Sequence, residues 1–312
     1  MRIGLDVMGG DFAPEAIIEG AVDSLNHLTE DDSLILIGDE GAIYSKLAEM
    51  KTDSGKFEIV PTTQVINMGD HPAKAFSQKK NSSIAVGYGM LKSGLIDGFC
   101  SAGNTGAMLV GASYTVNVIP GVLRPALAVV LPRLDNTSSV LLDVGLNPDT
   151  KPDILLQYGV LGSIYAKYVL ETDNPTVGLL NIGEEDSKGT PSIKAAYELM
   201  KAYSGINFVG NVEGNAFFGE RMPDVVVCDG FVGNIVLKLG EAFHHIYKIK
   251  NLKDSFFDSL DWENFGGTPV VGINANVVIG HGISKRHAIR NMVLQTRGVV
   301  HANLAQKIKE AI

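Results

Sequence analysis

Apolar residues along the chain alternate between two patterns. Short continuous runs closed by glycine, asparagine or aspartate read as buried strands. Between them, apolar residues recur every three or four positions, as on one face of a helix. Ile3-Gly4-Leu5-Asp6-Val7-Met8 is the first run and stops at Gly9-Gly10-Asp11. Pro14 then sits where a helix begins, with Ile17, Ile18, Ala21, Val22 and Leu25 at helical spacing. Residues 34–38 and 57–60 are further strands, the latter stopped by Pro61, with a helix over about 39–50 between them. Asp70-His71-Pro72 opens one helix, and Ser82 or Ser83 caps a second. A strand over 94–100 runs into Ser101-Ala102-Gly103-Asn104-Thr105-Gly106 and a small, apolar helix. Strands follow at 126–131, 139–144, 176–183, 208–214, 224–230 and 277–279, and helices at about 152–170, after Thr190-Pro191, and after Gly230. In the helix after Gly230, the spacing predicts that Ile235, Leu239, Phe243 and Ile246 face inward, and Ser284 is placed to cap the last helix. Strand and helix in this rhythm predict an α/β fold in three layers, α/β/α, around a mostly parallel sheet.

Composition narrows the setting. With 312 residues, 45% of them hydrophobic and 20% charged, the chain suits a soluble globular protein with a sizeable core. A net charge of −9 argues against a nucleic-acid partner, because no basic surplus exists to neutralise phosphates. Cys100 and Cys228 are too few for a disulfide framework or a zinc cluster. The N-terminus meets Asp6 too early for a signal peptide, and the apolar runs fall far short of the ~20 residues of a spanning helix. A cytoplasmic location is the reading.

The strand-end loops carry the chemistry. Gly9–Asp11, 101–106, 143–147, 181–188, 211–215, 229–234 and 280–282 each combine glycine with Asn, Asp, Glu, Lys or His. One such loop is turn chemistry; seven at one sheet edge suggest a polar cleft for a phosphate-bearing ligand, where ligands of open α/β sheets bind. Helix N-termini there offer unpaired N–H groups, and glycine lets the backbone approach an oxyanion. Candidate binding residues are Gly10, Asp11, Ser101, Gly103, Asn104, Thr105, Gly106, Asp143, Asn181, Glu184, Gly230 and Gly233. Ser101 lacks a Gly-x-Ser-x-Gly elbow, Lys188-Gly189-Thr190 has the wrong order for a P-loop, and the seven histidines show no metal-ligand spacing. Lys74, Lys79, Lys80 and Lys92 suggest a small basic patch beside the cleft.

Taken in order, these loops resemble the bacterial phosphate acyltransferases (PlsX type) over essentially the whole chain. The resemblance rests on Asp6-Val7-Met8-Gly9-Gly10-Asp11, Ser101–Gly106, Leu141-Leu142-Asp143-Val144-Gly145 and Asn181-Ile182-Gly183-Glu184-Glu185 with Lys188-Gly189. It continues in Gly210-Asn211-Val212-Glu213-Gly214, Cys228-Asp229-Gly230-Phe231 with Gly233-Asn234, and His281-Gly282. It implies a fold like the isocitrate and isopropylmalate dehydrogenases and the phosphotransacetylases, in one domain over 1–312. It also implies transfer of a fatty acyl group from acyl carrier protein to inorganic phosphate, giving acyl phosphate for phospholipid synthesis, with no cofactor and no metal. In that reaction Lys188 is placed to neutralise phosphate charge and His281 to assist the departing thiolate, with Asp229 and Asn234 as further catalytic candidates. A phosphotransacetylase-like enzyme using coenzyme A, or an oxidoreductase on the dehydrogenase fold, are the alternatives. The implied partners are acyl carrier protein, inorganic phosphate, a second copy of the chain, and an anionic membrane with its membrane acyltransferase.

One departure stands out. The family carries a longer helical insertion where this chain keeps only a short peripheral segment at about 246–264. There Ile249, Leu252, Phe256 and Leu260 fall at helical spacing, with Phe257 beside them and Lys248, Lys250 and Lys253 on the flanks. Such a stripe suits either a membrane interface or a partner subunit.

Overall fold

The computed structural model describes residues 1–219 and 222–312. Its contacts divide into two units, Met1–Ile119 with Trp262–Ala305, and Pro120–Asp261 with Gln306–Ile312. In chain order the first unit begins with β1 (Arg2–Asp6), α1 (Glu15–Ser24), β2 (Ser33–Gly38), α2 (Glu40–Glu49), β3 (Glu58–Pro61), α3 (Pro72–Gln78), α4 (Ser83–Lys92), β4 (Gly98–Ser101) and α5 (Thr105–Gly111). The second unit holds β5 (Ala126–Leu127), β6 (Val129–Pro132), β7 (Ser138–Leu142), α6 (Pro152–Tyr168), β8 (Thr176–Leu180), α7 (Pro191–Ala202), β9 (Asn207–Val212), β10 (Val225–Val227), α8 (Gly230–Ile249) and α9 (Ser255–Ser259). Then come β11 (Gly267–Val271), β12 (Asn276–Gly280), α10 (Arg286–His301) and α11 (Leu304–Ala311).

In the first unit the strands lie in the order β3-β2-β1-β4-β12-β11, parallel except for β11 against β12. Both faces are covered, which is why these strands read as unbroken apolar runs rather than alternating ones. Neighbouring residues of β4 show the two layers. The Phe99 ring meets Tyr88 of α4 edge-on at 5.3 Å, while Cys100 turns to Thr296 of α10. On the α10 side α1 packs closely, and Asp23 pairs with Arg286 across the two helices. The second unit repeats the scheme with the order β6-β7-β10-β8-β9, where only β6 is antiparallel. Gly162 of α6 packs on Leu142 and Val225, whereas Leu141, Val226 and Cys228 form a core with Val236 and Leu237 of α8. The α/β layering is therefore as the rhythm predicts.

Several local expectations need correction. The strand-end loops lie on two sheets, not one, because strand rhythm gives the order of elements but not which strands pair. The run 126–131 divides into β5 and β6. Pro61 belongs to β3 instead of stopping before it. Ser284 does not cap the last helix: α10 starts at Arg286 without a side-chain cap, and the Ser284 hydroxyl is buried without a partner. Most consequential, Ile235, Leu239, Phe243 and Ile246 point outward and are 50–55% exposed. Periodicity identified one apolar face of α8 but could not say what covers it. The stripe at 246–260 is also not one helix. α8 ends at Ile249, and α9 folds back so that Phe257 stacks on Tyr247 at 5.2 Å and Phe256 meets Phe218 at 6.0 Å. Among the described residues no helix is long and apolar enough to cross a membrane.

Candidate active site

Each unit gathers its polar loops around a buried aspartate at the carboxyl end of a strand. In the first unit this is Asp6, the last residue of β1. Its Oδ1 accepts the Met8 amide at 2.9 Å and its Oδ2 the Ser101 hydroxyl at 2.6 Å. Burial pushes the Asp6 carboxyl up, while donors from Ser101, Ser83, Met8 and Gly9 oppose that push. Ser101 Oγ in turn accepts the Gly103 amide at 2.9 Å. The nominated Ser101 therefore turns its hydroxyl inward.

Asn104 is the N-cap of α5, its Oδ1 accepting the Ala107 amide at 2.9 Å. Its Nδ2 lies 3.1 Å from each of the carbonyls of Asn67, Met68 and Asp70. The side chain clamps the 67–70 loop against the 101–106 turn. Thr105 and Gly106 form the first turn of α5, and Gly106 sits against Pro72 at the start of α3. Gly10 and Asp11 approach the third loop, where the Asp11 amide donates to the Gly282 carbonyl at 2.8 Å. The His281 ring packs on Trp262 with centroids 5.2 Å apart. The first unit thus brings Gly10, Asp11, Ser101, Gly103, Asn104, Thr105, Gly106 and His281 to one sheet edge. Of the basic candidates there, Lys79 pairs with Asp70 at 2.6 Å and donates to the Val65 carbonyl, and Lys80 lies over the Phe76 ring.

In the second unit the buried aspartate is Asp143. Oδ1 accepts the Leu127 amide at 2.9 Å, and Oδ2 accepts the Asn147 amide at 2.6 Å and its side-chain Nδ2 at 3.1 Å. Burial raises this carboxyl too, against the same donors. Gly230 and Gly233, the first turn of α8, pack directly on it. A Cβ on Gly233 would collide with the Asp143 carbonyl oxygen, so the helix can start here only with glycine. Asp229 caps α8 by accepting the Val232 amide at 2.8 Å, and the Gly230 amide donates to the Asn147 carbonyl at 2.7 Å. Asn234 lies beside Gly145. Arg124, not singled out from sequence, brings a guanidinium to 3.5 Å from Asn147 Oδ1.

The remaining candidates occupy the β8–β9 side of this unit. Asn181 Nδ2 donates to the Lys188 carbonyl at 3.2 Å and closes the 181–189 loop, leaving the Lys188 side chain exposed. Glu184 lines an open cavity of about 750 Å³ with Tyr197, Asn211 and Asn215. Asn211 Nδ2 donates to the Glu185 carbonyl at 3.0 Å, while its Oδ1 is buried without a partner. The structure therefore brings Asp143, Asp229, Gly230, Gly233 and Asn234 together, and Asn181, Glu184 and Lys188 in a neighbouring group. Neither cysteine suits a covalent acyl carrier. Burial pushes the Cys100 thiol up to about 12 and raises Cys228 well above its ordinary value.

In the sequence Asp6 stands out only as part of the Asp6–Asp11 motif. The signal that could have found it is the one that marked Asp143, an acid where a fully apolar strand ends.

Comparison with known proteins bears on the family and the fold. The pattern of a family described as fatty acid synthesis protein matches residues 1–256. A phosphate acyltransferase of Salinibacter ruber is 40% identical over 330 residues, covering 99% of this chain and 97% of that protein. One of Caldicellulosiruptor bescii is 41% identical over 331 residues, covering 100% and 98%. Among solved structures, the EutD phosphotransacetylase from Staphylococcus aureus aligns with a TM-score of 0.66 at 16% identity, over 96% of this chain and 94% of that one. A 4-hydroxythreonine-4-phosphate dehydrogenase from Klebsiella pneumoniae aligns with a TM-score of 0.57 at 16% identity, over 96% and 98%. The two structures show the shared fold; the full-length identity shows that this chain belongs to the phosphate acyltransferase family, an acyltransferase whose reaction involves phosphate.

Proposed function

We propose that the chain transfers a fatty acyl group from the thioester of acyl carrier protein to inorganic phosphate, producing acyl phosphate for phospholipid synthesis. The observation that carries this reading is the full-length identity to phosphate acyltransferases, joined to a fatty-acid-synthesis description of the family. A phosphate oxygen attacks the thioester carbonyl, the C–S bond breaks, and the thiolate leaves on the carrier arm. Phosphate is already anionic and a thiolate is a good leaving group. Proximity and stabilisation of the developing oxyanion therefore outweigh proton transfer. Phosphate is assigned to the glycine turns at Gly10 and Ser101–Gly106, with His281 of the same sheet edge serving the leaving thiolate, and Lys188 and Arg124 are the candidates for neutralising charge.

The same reading makes the chain a homodimer through the outward face of α8, where Phe231, Ile235, Leu239 and Phe243 form an exposed apolar stripe. Ile249 and Leu252, also exposed and flanked by Lys248, Lys250 and Lys253, are taken as a weak contact with anionic membrane, close to the membrane acyltransferase that uses the product. The test is release of free thiol from acyl carrier protein with and without inorganic phosphate, beside the same acyl group on coenzyme A. Phosphate-dependent release favouring the carrier protein supports the reading; faster release from coenzyme A replaces it with the phosphotransacetylase-like one. Co-sedimentation with anionic and neutral liposomes tests the membrane contact, and equal pelleting with both removes it.

A further inference from the structure

Three strand-end loops of the first unit are stitched to one another around Asp6. The hydroxyl direction of Ser101 is fixed by its neighbours. Because Ser101 Oγ already accepts the Gly103 amide at 2.9 Å, its own proton points to Asp6 Oδ2 at 2.6 Å. Ser83, the first residue of α4, donates to the same carboxyl. The backbone closes over this group from two sides. A Cβ on Gly9 would strike Asp6 Oδ2 and lie 2.7 Å from Gly103 Cα, and one on Gly103 would lie 3.1 Å from Oδ2. The third loop joins through the Asp11 amide on the Gly282 carbonyl, and through Gly280, where a Cβ would lie 3.3 Å from that of Ala102. Asp6 itself has no exposed surface, so it cannot touch a substrate.

We infer that Asp6 is a positioning residue of the acyl-transfer site, its carboxylate fixing the Ser101 hydroxyl and through it the spacing between the Gly9-Gly10 turn and the Gly103 turn that receive inorganic phosphate. This rests on the functional reading given above. A purely structural acid would affect folding alone. A positioning acid also changes how the two turns meet phosphate, since small misplacements of a binding group are costly.

The experiment uses the full chain with Asp6→Asn, Ser101→Ala and the double variant. Asparagine keeps the shape but presents an N–H where the Ser101 proton now points. Thiol release is followed at varied phosphate with saturating donor and at varied donor with saturating phosphate. Amide hydrogen exchange of the 99–106 backbone is measured alongside. The expected result is a rise in the KM for phosphate of roughly tenfold or more in each single variant, with the donor KM within about twofold. The double variant should be no worse than the worse single one, and Gly103 amide exchange should speed up in both. An unchanged phosphate KM in folded Asp6→Asn, or effects that add in the double variant, overturns the inference. If Asp6→Asn does not fold, Ser101→Ala carries the same test. Should the wild-type chain release no thiol in response to phosphate, the functional reading has failed and exchange alone decides. Equal Gly103 protection in wild type and Ser101→Ala then overturns the positioning role.

Discussion

Asp6 and Asp143 occupy the same place in their respective sheets, yet they are satisfied by different kinds of donor. Asp143 is held by the backbone amides of Leu127 and Asn147, both fixed by the chain's path, and by the Asn147 side-chain amide. Asp6 draws on the hydroxyls of Ser101 and Ser83 beside the amides of Met8 and Gly9. A backbone N–H cannot turn away, whereas a hydroxyl can rotate to another acceptor or be redirected by a changed partner. The second unit thus uses its buried acid to hold the start of α8 in place. The first uses it to couple loop spacing to the direction of one proton.

The comparison is broken most directly by truncation. Asp143→Ala leaves fixed, buried donors without acceptors, and urea unfolding should show a loss of roughly 3 kcal/mol or more. Asp6→Ala should cost less, because two of the donors it strands are hydroxyls that can rotate once the carboxylate is gone, leaving only the Met8 and Gly9 amides fixed. Equal losses would mean that donor type does not matter.

A second way to sharpen it concerns charge. Lys188 has no ion-pair partner among the described residues, whereas Lys79 is already bound to Asp70. Lys188→Ala should therefore raise the phosphate KM at least tenfold in steady-state kinetics, with the fold unchanged by circular dichroism. An unchanged phosphate KM would remove Lys188 from phosphate binding.

The third test is pH. Both aspartates have carboxyls raised above the ordinary 3.8, with burial as the main cause. A raised carboxyl holds its proton more tightly in the folded chain. Its contribution therefore favours folding below about pH 4 and is lost as pH climbs through the raised folded value. Across that window, unfolding free energies of Asp143→Asn and Asp6→Asn should fall less steeply than those of the wild type. Parallel curves would contradict the burial argument.

The smallest effect belongs to the exposed lysines of the first unit. If acyl carrier protein approaches there, Lys74→Glu and Lys80→Glu should slow thiol release a few-fold at low salt and little at high salt. Salt-independent rates would remove this surface from the encounter.

Much of the architecture was legible before any coordinates. Fully apolar runs marked buried parallel strands, and Ser82 and Thr190, at expected helix starts, each cap a helix by accepting a backbone amide. Other features were not legible, because they depend on what lies across from a residue. The stripe on α8 reads the same whether it faces a core or open surface. Asn104 could be placed at a helix start, but the three carbonyls its amide reaches come from residues 67–70, far off in sequence. Asp6 stood only within the first apolar run and its Asp6–Asp11 motif, since its main partner, Ser101, lies 95 positions away.

The central claim is acyl transfer to phosphate from a carrier-bound thioester. It is tested most directly by following free thiol released from acyl carrier protein as inorganic phosphate is raised from zero, with acyl phosphate trapped in the same reaction. The account predicts no release without phosphate, saturable release with it, one acyl phosphate per thiol, and a slower reaction from acyl-coenzyme A. Thiol released at the same rate without phosphate, or with no acyl phosphate formed, would contradict it.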